Sequence, residues 1–171
     1  MENLTEFERI SLINQYKLLR DVAILRKDSY DIEKYDILAT ILTNGYVGEY
    51  SNLTEELSAE FPVQESELVW DILQVYSNIE YSYKQLKNTS ISKEEIYFDG
   101  FDGNEEIEYY VFCKYVIFTL KRFGEFTANN RTDFNSHSNR CPKYRLMIEK
   151  WKSMGKPFEL TEEQIKELLS I

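Results

Sequence analysis

The run Ile107-Glu108-Tyr109-Tyr110-Val111-Phe112-Cys113-Lys114-Tyr115-Val116-Ile117-Phe118-Thr119-Leu120, preceded by Asp102 and followed by Phe123 and Gly124, decides the fold class of this chain. Its apolar residues fall on nearly every face of a helix, and a helix hydrophobic all round is one enclosed by neighbours. Asp102 with Glu105 three residues on supplies the start, as a cap and a capping box. The reading predicts a buried central helix over about 102–123, ended by Gly124. Glu108 and Lys114 break the apolar run, which falls short of the roughly 20 residues a bilayer span needs. It reads as a core helix and not a membrane helix.

Working outward, helix signals recur on both sides. Thr5 and Glu8 form a capping-box pattern for a helix reaching about Leu25. Leu12, Tyr16, Leu19 and Ala23 mark its core face, with Phe7, Ile10 and Val22 broadening the stripe. A second helix over about 31–43 carries Ile37, Leu38, Ile41 and Leu42, and Asn44-Gly45 stops it. A brief helix is expected over about 54–60, before Pro62. The next helix, about 64–87, is the most regular. Its Val69, Ile72, Tyr76, Ile79, Tyr83 and Leu86 alternate steps of three and four, the seam of a helix packed lengthwise on another.

After a connection from Asn88 to Gly100, the central helix and a polar, Asn-rich loop over 125–139, a helix entered through Pro142 presents Tyr144, Met147, Ile148 and Trp151. Thr161 and Gln164 cap a last helix, with Leu160 stapled onto Ile165. No alternating run of strand quality is present, so the class is all-α. The length suits a single all-helical domain over 1–171, from which residues of about 62–95 could project as a helix-hairpin subdomain.

Thirty acidic against twenty basic residues give a net charge of -10, which repels phosphate backbones and anionic membranes. Nucleic acid is therefore disfavoured as a partner. The one dense basic run is Arg140, Lys143, Arg145, Lys150, Lys152 and Lys156, and a charge run is ordinarily a solvated face. Cys113 and Cys141 are too few for a disulfide framework or zinc site and read as reduced thiols. The start, Met1-Glu2-Asn3-Leu4-Thr5-Glu6, lacks the basic and apolar regions of a secretion signal, so a cytoplasmic location is expected.

Asn14-Gln15-Tyr16-Lys17-Leu18-Leu19, Asn44-Gly45-Tyr46, the stretch Trp70 to Tyr76, Gly100-Phe101-Asp102, Phe134-Asn135 and Lys143-Tyr144 to Trp151 occur in this order, before a terminal Leu-Thr-Glu-Glu-Gln-Ile helix. Together they resemble the YfbU family of uncharacterised bacterial proteins over nearly the whole chain. The resemblance implies an all-helical fold with a helical hairpin and a tendency to self-associate. It implies no reaction, cofactor or catalytic residue.

Three chemical readings compete with an interaction role. Arg131 and the lone His137, with five residues between them, match the Arg-x4-6-His spacing of HEPN-type metal-independent ribonucleases. There a histidine moves the 2′-hydroxyl proton and an arginine stabilises the phosphorane. The loop setting and the acidic chain weigh against it. Asp99-Gly100-Phe101-Asp102-Gly103-Asn104 suggests a calcium loop, yet Phe101 stands where an oxygen ligand is required. The pairs Glu55-Glu56, Glu94-Glu95 and Glu162-Glu163 lie in first helical turns, where acids favour the positive end of the dipole. What remains is surface: the seam Val69, Ile72, Tyr76, Ile79, Tyr83 and Leu86, and the loop of residues 129–139. The expectation is a non-enzymatic, cofactor-free protein that associates with itself and with protein partners, in a bacterial regulatory or stress setting, with the Arg131–His137 ribonuclease as its alternative.

Overall fold

The computed structural model describes residues 4–130 and 133–171, without the side chains of residues 129 and 130. It is all-α, with no strand among the described residues. Where length suggests one domain, the backbone divides into two compact units, Met1–Glu60 and Phe61–Ile171.

The first unit is a helical hairpin. Its α1, Glu6–Arg26, begins at the expected box: Thr5 accepts from the Glu8 amide at 3.3 Å and its own amide donates to Glu8 Oε2 at 2.8 Å. Lys27 closes α1 in the left-handed region, and Asp28 caps α2, Ser29–Asn44, which ends at left-handed Gly45. Arg9 reaches back from α1 and donates to the Leu42 carbonyl through Nε at 2.9 Å and Nη2 at 2.6 Å. A guanidinium thus covers the negative end of α2. The short helix expected over 54–60 lies earlier, as a 3-10 helix over Val47–Thr54. The hairpin's core is small: Leu38, Ile41, Leu42 and Tyr50, with Leu12, Ile13, Tyr16 and Leu53 against them.

The second unit is built on α3, Val63–Tyr83, packed against α4, Ile107–Lys114, and α5, Cys141–Ser153; α6, Glu162–Leu169, packs on α5. Residues 62–95 hold one long helix followed by turns, so the hairpin of this protein is α1–α2. The seam is spent inside the unit, because Val69, Ile72, Tyr76 and Ile79 are buried in its core and Tyr83 and Leu86 are half-buried beside it.

The central helix differs most from expectation. Residues 103–106 are turn, α4 starts at Ile107, and residues 115–119 continue it as a π-helix in which the Leu120 amide donates to the Tyr115 carbonyl at 2.9 Å. Cys113, Val116 and Ile117 are buried, whereas Ile107, Val111, Tyr115 and Phe118 are exposed. α4 is covered on one side only. No helix of the described residues is long and apolar enough to cross a membrane.

Candidate interaction surface

The Asp102 segment, which resembles a metal loop in sequence, is held by backbone bonds. Asp102 Oδ1 accepts from the amides of Asn104 at 2.7 Å and Glu105 at 3.1 Å, and these bonds hold its carboxyl below the usual carboxylate range. The reciprocal acceptor is Glu106, one residue beyond the expected Glu105, because the segment is a turn and not yet a helix. Glu106 is only 3% exposed. Its Oε2 takes the Asp102 amide at 2.9 Å, and its Oε1 takes the amides of Arg140 at 2.8 Å and Cys141 at 2.5 Å. One buried carboxylate therefore joins the entry to α4 with the first turn of α5. Gly100, at φ +94°, lets the Phe101 amide donate to the Phe134 carbonyl at 2.9 Å; a Cβ there would lie 1.8 Å from that oxygen.

The thiols are buried. Burial pushes Cys113 up to about 12, and burial together with the bond to Glu106 raises Cys141 further. Neither thiol supplies a thiolate at neutral pH. Tyr109 donates to Glu65 at 2.7 Å beside Arg145, and burial followed by that bond pushes the phenol up to about 12.

His137 is exposed, in a left-handed turn whose amide donates to Asn135 Oδ1 at 3.0 Å. Arg131 lies outside the described residues, as do Met1, Glu2 and Asn3. Five of the six cations of the basic run lie beside carboxylates. Arg140 pairs with Asp99 at 3.0 Å, Arg145 with Glu65 at 2.5 Å, Lys150 with Glu167, and Lys152 with Asp71 at 2.7 Å. Lys143 donates to the Leu169 carbonyl at 3.3 Å, and Lys156 lies 3.9 Å from Asp71. Cations held by neighbouring carboxylates make a poor phosphate-binding face.

Besides the row on α4, apolar surface stays open on α1. Phe7 is 79% exposed, Leu18 67% and Leu25 83%, with Ile10 and Val22 also exposed. Their steps of three, eight, four and three residues keep them on one face of the helix, with Asn14 interrupting the row between Ile10 and Leu18. The positions turned inward, Leu12, Ile13, Tyr16 and Ala23, occupy the opposite face. Phe7, Ile10 and Val22 thus belong to a second stripe, and not to a broadened core face as their spacing alone suggests. The physical reason is that α1 has a single helix, α2, to pack on within its unit. Sequence reading missed this stripe because it merged two faces into one. The signal was present, since apolar residues distributed all around an end helix exceed what one neighbour covers.

The YfbU domain family model matches residues 1–171. The UPF0304 protein MJECS11 of Methanocaldococcus jannaschii is 38% identical over 175 residues, which span 98% of this chain and 99% of that protein. That relative is archaeal, so the family is not confined to the bacteria expected from the resemblance. A family model matching residues 1–171 and a relative 38% identical over nearly the whole of both chains leave one conclusion: this chain belongs to the YfbU family.

Proposed function

We propose that this protein works by self-association, without catalysis, through the outer face of α1. The observation that carries the reading is the stripe of Phe7, Ile10, Leu18, Val22 and Leu25, five large apolar side chains aligned on one face and exposed. Several large apolar side chains exposed on one face, here in two groups on either side of Asn14, are the kind of surface that marks interaction sites. The carboxylates and thiols that invite a chemical reading are occupied: Glu106 by three amides, Asp102 by two, and both cysteines by burial.

Sedimentation at micromolar concentration tests the reading. The wild type is expected to run as an oligomer and Leu18→Asp as a monomer of unchanged helicity, since Leu18 touches no core. A monomeric wild type, or a Leu18→Asp protein that still assembles fully, removes α1 as the surface.

A further inference from the structure

Resting on that reading, we infer that α1 pairs with the α1 of a second copy of this chain, antiparallel and related by a two-fold axis through the middle of the helix. The argument is the arrangement of the stripe. An isologous interface must be complementary to itself under the two-fold, so residue i meets j while j meets i. About the midpoint of Glu6–Arg26, Phe7 is the mirror position of Leu25, Ile10 of Val22, and Asn14 of Leu18. Reversing the helix lays apolar residues on apolar residues at both ends. Beside them the exposed polar positions also match, with Gln15 falling opposite Lys17.

Charge selects the same orientation. The first turn of α1 holds Glu6 and Glu8 and its last turn holds Arg26, which pairs with Asp31 at 3.0 Å and leaves the rest of its guanidinium to a partner. An antiparallel pair sets each acidic turn beside the partner's basic one and opposes the two helix dipoles, while a parallel pair would stack like on like. The other exposed row, Ile107, Val111, Tyr115 and Phe118 on α4, repeats the acid-first order with Glu108 and Lys114 but is much shorter. It lies on an eight-residue helix and a π-turn, and Lys114 is the only charge of its last turn.

Cysteine cross-linking decides the geometry, and the native thiols, buried and with raised pKa, stay out of it. In an antiparallel pair the two copies of position 25 lie roughly 27 Å apart along the axis, at about 1.5 Å per residue, while position 25 faces position 7. A chain carrying both Phe7→Cys and Leu25→Cys is expected to oxidise to a covalent dimer, and chains carrying either alone are not. Val111→Asp is expected to leave the sedimenting species unchanged. Cross-linking of the single variants would show a parallel pair and overturn the inference. So would an oligomer in which no variant cross-links, or one that Val111→Asp dissolves; those results sink the two-fold while self-association stands. A wild type monomeric at micromolar concentration sinks both.

Discussion

In the C-terminal unit Phe98 is fully enclosed, with Phe101, Phe126, Phe134, Tyr76 and Tyr144 all within 6 Å of it, centroid to centroid. In the N-terminal hairpin Phe7 stands in the open and the core is a handful of residues beneath two helices. The two units carry similar apolar sequence and spend it differently. A unit with α3, α4, α5 and α6 can surround a ring; a hairpin of two helices can cover one face of each. The hairpin is thus left with exposed apolar surface, whereas the C-terminal unit has buried most of its own.

The largest contrast is expected from truncating one large apolar side chain in each unit. Phe98→Ala is expected to destabilise the protein by about 3–5 kcal/mol, because a filled aromatic cluster leaves a cavity when a ring is removed. Leu18→Ala, measured on dilute monomer, should change stability by no more than about 0.5 kcal/mol, as exposed substitutions do. Chemical denaturation of both variants checks the pair, and equal costs would show that α1's outer face is not free.

A smaller effect is expected from Glu106→Gln. An amide can accept at one end only, so at least one of the amides of Asp102, Arg140 and Cys141 is left facing an NH2 group. The expected cost is about 2–3 kcal/mol. The carbonyl end keeps most bonds facing Arg140 and Cys141, so hydrogen exchange should show the loss first at residue 102, and a change confined to the hairpin would refute the assignment.

The smallest effect is electrostatic. Lys166, followed by the Ser90 amide, holds the Glu162 carboxyl down at about 2. The folded value lies below the ordinary value of about 4.3. Its contribution is therefore present above that ordinary value and fades as pH falls toward about 2. The melting-temperature gap between wild type and Glu162→Gln should be small at pH 7, since the pair with Lys166 is partly open to solvent, and should close as pH falls from about 4.3 toward 2.

The capping boxes at Thr5–Glu8 and Thr161–Gln164, the Gly45 stop and the entry through Pro142 were all legible in the sequence. So was the all-α class. Such features depend on residues three or four apart, and local chemistry settles them whatever surrounds the helix. Periodicity likewise announced the seam of α3 and the apolar character of α1 and α4. What covers an apolar face is a different matter, because spacing records that a face avoids water and is silent on its neighbour. Only the tertiary structure could decide that the α3 seam is core, that α4 is covered on one side, and that α1 carries a second stripe left open. Glu106 makes the same point in polar form: two of its three amides come from residues 34 and 35 positions away, a distance at which only the folded chain brings donor and acceptor together.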